Sequence, residues 1–195
     1  MHAKKQFRRR PRRLDRECGS MLIELLIAMV VLAVGLGGIL VLLIASIYTN
    51  NRAGNDTTST MVAEHVLEQI SAQPANAVSS LTVTDCAGTG WSINTVGASQ
   101  GAGSGGSHGG NGANLTTTGI IDWTQSYAAV PANYAMNYAA CGAGGKQSVY
   151  DIRWDVLTMS NFSRMIVVSA RPSGSPVVGG VRYIIPPNMR TIGGM

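Results

Sequence analysis

Two stretches of the chain fit expressions for catalytic sites, and both lie in one glycine-rich run. Gly97–Asn114 holds eight glycines in eighteen residues. Within it, Gly101-Ala-Gly-Ser-Gly-Gly106 fits G-x-G-x-x-G, whose glycines let backbone N–H groups approach a phosphate at the start of a helix. No strand pattern precedes this stretch and no helix pattern follows it, so nothing would aim those groups. Gly97-Ala-Ser-Gln-Gly101 fits the nucleophile elbow G-x-S-x-G, which needs an acid and then a histidine after the serine. The only histidine after Ser99 is His108, and no Asp or Glu lies between them. Neither match is accepted. The run is expected to be a mobile surface loop, because it cannot bury enough apolar surface to offset its chain entropy. Metal chemistry has no better footing, since neither Cys86 nor Cys141 has a second ligand at metal spacing. No catalytic residue, metal or cofactor is assigned, and a non-enzymatic role is expected.

Charge narrows the partners. The formal net charge is +5, but residues 1–19 hold eight Lys/Arg against Asp15 and Glu17. The remainder has seven basic and eight acidic residues and sums to −1. Its basic residues from Lys146 to Arg190 stand singly, with no basic stripe and interleaved aromatics, so nucleic-acid binding is not supported. Charged residues are 13% of the chain and glycines number 24, which is not the composition of an ordinary cytosolic enzyme.

The element that follows the basic stretch is apolar and long. Leu25–Ile47 contains no charged residue. At roughly 1.5 Å per residue, such a helix spans the ~30 Å hydrocarbon core. A secretory signal has an apolar region of only about 7–15 residues and a small-residue cleavage site, for which Ser46-Ile47-Tyr48 is a poor candidate. A single membrane span is expected. The positive-inside rule orients it, with the N-terminus cytoplasmic and residues after about position 50 exported to the periplasm. Glu24 is the odd residue in this helix. It is either near enough to the interface to stay hydrated, or a buried charge that needs a partner cation.

Gly19-Ser20-Met21-Leu22-Ile23-Glu24, with the basic leader before it and the apolar helix after it, resembles the class III signal of type IV prepilins. The resemblance implies that a prepilin peptidase cuts between Gly19 and Ser20 and methylates the new N-terminus. It also implies that Glu24, fifth in the mature chain, is the assembly residue, whose carboxylate neutralises the ammonium of a neighbouring Ser20. Such a pairing would set axial register between helices, since an unpaired charge in an apolar bundle is expensive. Two departures stand out. Ser20 occupies a position where the family usually has Phe, and Val41 stands where major pilins commonly carry a helix-bending Pro, a role Gly35, Gly37 and Gly38 could fill. The run from Glu24 to Gly38 and Met61–Ile70 look most like the PilV group of minor pilins, the type IV pilus modification proteins. That similarity covers about residues 15–72.

The exported part supplies the remaining elements. Over 58–72, Val62, Val66 and Ile70 recur every four residues beside Ala63 and Leu67, while Glu64, His65, Glu68 and Gln69 face away. This is an amphipathic helix, continuing the membrane helix after a possible interruption at 50–56 and ending by Pro74. His65 lies on its polar face, where a solvated imidazole is expected. Tyr150–Val156 alternates as a half-buried strand, with Tyr150, Ile152, Trp154 and Val156 inward and Asp151, Arg153 and Asp155 outward. Arg164–Ala170 is a second strand, and Val181–Ile185, stopped by Pro186-Pro187, a third. Leu81–Thr84 and Ile120–Trp123 are weaker strand patterns. Cys18 lies in the leader and would be removed. Cys86 and Cys141 would reach an oxidising compartment, where a disulfide is expected to join them across the glycine-rich run; the alternative is two free thiols.

The expected architecture is α+β and pilin-like: leader 1–19, membrane and assembly helix 20–48, amphipathic continuation 49–72, and an exported domain 73–195 with a small antiparallel sheet. The function implied is that of a structural minor pilin that joins or primes a type IV pilus. Its partners would be other pilins, the prepilin peptidase and the inner-membrane assembly platform, and its destination the pilus and cell surface. A pseudopilin of a type II secretion system shares the leader and helix. A signal-anchored periplasmic enzyme or binding domain that keeps its N-terminus is the rival of another class.

Overall fold

Apolar residues from Met21 to Ile47, followed by hydroxyl-rich and then amphipathic sequence, form one helix, α1, over Cys18–Ser71. The computed structural model describes residues 18–76, 80–142, 145, 147–173, 177–178, 181–182 and 186–193. The chain divides into two compact units, one up to Asn50 and the other from Asn51 onward. In the first, every described side chain from Met21 to Asn50 is exposed. A Cβ added at Gly35, Gly37 or Gly38 would meet nothing within 4 Å, and the helix stays regular through all three.

The second unit begins with the rest of α1. The interruption anticipated at 50–56 is absent. Polar residues here satisfy themselves on the helix instead of leaving it. The hydroxyls of Thr57, Thr58, Ser59 and Thr60 donate to the carbonyls of Ala53, Gly54, Asn55 and Asp56 at 2.8–2.9 Å. Such back-bonding by Ser and Thr is compatible with a continuous helix. Further on, Val62, Ala63, Val66 and Ile70 are buried and Leu67 partly so, while Glu64, His65, Glu68 and Gln69 are exposed, as the four-residue periodicity requires.

Opposite that face lies a five-stranded antiparallel sheet of β3 (Asn111–Gly112), β4 (Ala135–Cys141), β5 (Gln147–Ser160), β6 (Ser163–Pro172) and β9 (Asn188–Gly193). Its order is β3-β5-β6-β9, with β4 also pairing β5. A separate hairpin joins β1 (Ser80–Thr84) to β2 (Gly90–Asn94), and β7 (Val177–Val178) forms a two-residue ladder with β8 (Val181–Arg182). The buried helix residues share one apolar cluster with Ile93, Met136, Ile152, Trp154, Val156, Ile166 and Val168. The layout is therefore α+β, with a long apolar N-terminal helix and a small antiparallel sheet.

Several expectations need correction. The strand expected over 150–156 is twice that length and is buried on both sides. Asp151, Arg153 and Asp155, expected to face water, are at most 5% exposed. Alternation reveals that two faces differ but not what covers the polar one. Of the third strand expected over 181–185, Val181–Arg182 pair with Val177–Val178, and 183–185 lie outside the described residues. The strand that closes the sheet is β9, beyond Pro186-Pro187. Ile120–Trp123 is not a strand. Ile121 makes one isolated bridge to Leu115, and the chain then turns on Asp122, whose Oδ1 accepts from Thr124 N and Oγ1.

The largest difference concerns the glycine-rich run, which was expected to be a mobile surface loop. It is the cover of the polar face of β5. Gly105, Gly109, Gly110 and Gly112 are buried. Ala98 N donates to Val156 O at 3.2 Å, Thr158 N to Ala98 O at 2.8 Å, and Gly105 N to Gly110 O at 2.8 Å. A Cβ at Gly110 would collide with Val156 O, and one at Gly112, where φ is +135°, with Trp154 O. Glycine is used here for backbone-to-backbone approach, so hydrogen bonds replace the side-chain burial the run lacks.

Candidate functional site

The apolar half of α1 is the feature with the strongest demand on its surroundings. A helix that is apolar on every side has no face for water and belongs in lipid or among other apolar helices. From Met21 to Ile47 its large hydrophobic side chains are 47–76% exposed, far more contiguous apolar surface than a soluble chain leaves open. It is long and apolar enough to cross a membrane. Tyr48 follows, and then Thr49, Asn50, Asn51 and Arg52, the kind of aromatic-then-polar boundary found at a membrane interface. Gly19 and Ser20 lie in the first turn of α1, and Glu24 is exposed one turn after Ser20. Glu24 is the only charged residue between positions 18 and 51.

The second unit carries two polar constructions. Near the disulfide, Asp85 gathers four donors: Ala87 N at 3.0 Å, Thr89 N at 2.8 Å, Trp91 Nε1 at 3.0 Å and Ala139 N at 3.3 Å. The Trp91 indole, ahead of the three backbone donors, holds the Asp85 carboxyl below the usual carboxylate range, against the opposing effect of burial. This ties the β1–β2 hairpin to β4 and brings Cys86 beside Cys141, the last residue of β4. The two are bonded, with Cα atoms 5.9 Å apart across 55 positions.

The other construction occupies the far end of the polar face of β5 and had no warning in the sequence. Arg153 donates to both Asp151 oxygens at 3.0 and 2.8 Å, and to Gln125 O at 2.6 Å. Arg171, from β6, reaches the same carboxylate at 3.1 Å. Trp123 faces both guanidinium groups, whose carbons stand 4.7 and 4.3 Å from its ring centroid, and Tyr127 lies 5.9 Å from that of Arg153. Burial, followed by the Asp151 charge, pushes the Tyr127 phenol upward. The two arginines were visible only as isolated cations, because Asp151 and Arg171 meet through sheet register and not through sequence spacing.

His108 lines an open depression of about 260 Å³ with Gln100, Leu115, Leu157, Met159 and Met165. Among the described residues no Asp or Glu lines it, so these residues do not assemble the acid–histidine pair that the G-x-S-x-G match would need. Set against models of protein families, against curated proteins and against solved structures, the chain matches nothing in any of the three comparisons.

Proposed function

We propose that the chain is a structural subunit of the type IV pilin kind, a minor pilin of the PilV sort, made as a prepilin and inserted into the inner membrane. The observation that carries this reading is the pairing of two unlike halves in α1. One half is apolar on all sides with a single carboxylate, Glu24, five residues after Gly19. The other half buries one face against an antiparallel sheet and exposes the opposite one. A helix built this way is anchored to its own domain at one end and offers the other to lipid first and to neighbouring helices later. In that role Glu24 neutralises the Ser20 ammonium of an adjacent subunit. The disulfide suits export to an oxidising compartment.

The decisive measurement is the intact mass of the protein extracted from membranes of cells that contain a prepilin peptidase. The expected mature chain begins at Ser20, and a bulky replacement of Gly19 leaves it uncut. A full-length chain in those cells would overturn the reading and favour a signal-anchored domain.

A further inference from the structure

Asp155 sits at the middle of β5, fully buried, with its carboxyl directed into the glycine-rich run. Its Oδ1 accepts a hydrogen bond from Gly110 N at 2.8 Å. Its Oδ2 is buried and has no hydrogen-bond partner. The atoms around Oδ2 are backbone: a Cβ at Gly109 would stand 2.7 Å from it, and one at Gly105 would collide with it. The run is thus moulded on this carboxyl, and residues larger than glycine would be excluded by it.

The neighbouring ionisable groups give a charged carboxylate no help. Arg153, two residues away on the same face of β5, is committed to Asp151 and Gln125 O. Arg190, on β9 beyond Val167, donates to Gly119 O at 2.7 Å. Tyr134 donates its hydroxyl to Val96 O at 2.6 Å, and burial, with the Asp155 charge as a second cause, pushes that phenol up to about 12. His108, within the run, lines the open depression. Among the described residues no ion pair reaches Asp155.

We propose that Asp155 is a proton-operated latch: as a neutral acid it holds the glycine-rich run against β5, and its ionisation loosens that run while β5 and β6 stay paired. Protonation belongs on Oδ2, because Oδ1 already accepts from Gly110, and a neutral acid avoids burying an unpaired charge. Burial pushes this carboxyl up to about 7, with the Gly110 hydrogen bond only partly opposing it. The sign follows from linkage. Lifting the run exposes the carboxyl, whose value then returns toward 3.8. Opening therefore releases a proton between those limits, and its equilibrium constant rises by up to about tenfold per pH unit there, levelling off above about pH 7. The latch is strongest in acid and weakest in mild alkali. It does not depend on whether the chain is a pilin.

Hydrogen exchange on the full chain in detergent micelles, corrected for intrinsic rates, tests this between about pH 4 and about pH 8. Protection of the amides of Gly101, Gly105 and Gly110 is expected to fall with the slope given above and then flatten, while amides shared by β5 and β6 hold. In Asp155→Asn, neutral at every pH, the same amides should show a flat profile. A wild-type profile no steeper than that of β5–β6 overturns the latch, and so does an unchanged slope in Asp155→Asn. If that variant does not fold, the ¹³C carboxyl resonance of wild-type Asp155 decides, and titration in the ordinary aspartate range would overturn the proposal.

Discussion

The two halves of α1 use the same backbone for opposite purposes. From Met21 to Asn50 every side chain of the helix is exposed, and the large ones are hydrophobic on all sides. From Asn51 its burial alternates with helical period, and its partner is the chain's own sheet. The second half should therefore fail if the sheet loses its hold. Stability of the exported unit rests on the second half, and under the proposed pilin role association would belong to the first. Substitutions can test that division by asking which half feels them.

The largest expected effect on folding is at Arg164, which fastens the second half to the sheet. This guanidinium, 1% exposed, donates to Ile70 O at 2.6 Å, Gln73 O at 2.7 Å and Thr95 O at 3.1 Å. A cation there meets the negative end of the helix and gives Ile70 O a donor beside Gln73 N, which stands at 3.2 Å, since Pro74 has no N–H to offer it. Burial lowers its pKa, yet an arginine stays charged well above neutral pH. Arg164→Leu should destabilise the second unit by roughly 3–5 kcal/mol, because buried acceptors lose their donor. The fluorescence of buried Trp154 during urea unfolding in micelles would report it. A loss below about 1 kcal/mol would mean the helix is held by apolar contact alone.

Next in size is the disulfide. Removing it in Cys86→Ser/Cys141→Ser should cost about 2–4 kcal/mol, because a long loop regains freedom in the unfolded chain. That loop contains the glycine-rich run, so the run should become the first site of protease cleavage in the double variant. The β1–β2 hairpin should stay attached, since Asp85 still links it to Ala139. Simultaneous release of the hairpin would show that Asp85 depends on the bond and does not support it.

What could be read from the sequence follows the same division. The apolar half, the buried stripe Val62–Ile70, the cores of β5 and β6 and the cysteine pair all announce themselves by local pattern. β4, Ala-Met-Asn-Tyr-Ala-Ala-Cys, carries no alternation strong enough to mark a strand, and β9 begins after two prolines and ends in glycine. Both become strands through pairing with neighbours, which is a tertiary effect. The polar face of β5 was misjudged for a related reason. Asp151, Arg153 and Asp155 look solvated when taken alone, and their covers come from residues far away in sequence: Gln125, 28 positions before Arg153, Gly110, 45 before Asp155, and Arg171, 20 after Asp151. Glycines were taken as chain entropy, although here each buried one is a close approach to β5.

The smallest effect on folding belongs to Glu24, and it bears most directly on the division between the halves. Glu24 is exposed and belongs to the first compact unit, so Glu24→Ala should change urea unfolding of the second unit by less than about 0.5 kcal/mol. Processing at Gly19 should also continue. Incorporation into filaments should nevertheless fall, because the Ser20 ammonium of a neighbour would enter an apolar bundle without its counter-charge. A charge so placed costs about 2.5–3.5 kcal/mol on insertion scales, which corresponds to a loss on the order of a hundredfold. Glu24→Gln keeps the shape and the hydrogen-bonding carbonyl but removes the charge. If Gln restores incorporation, the residue acts through hydrogen bonding and fit. If neither variant changes incorporation while both are processed, the charge-pairing role assigned to the first half of α1 is lost, and the apolar surface alone must account for association.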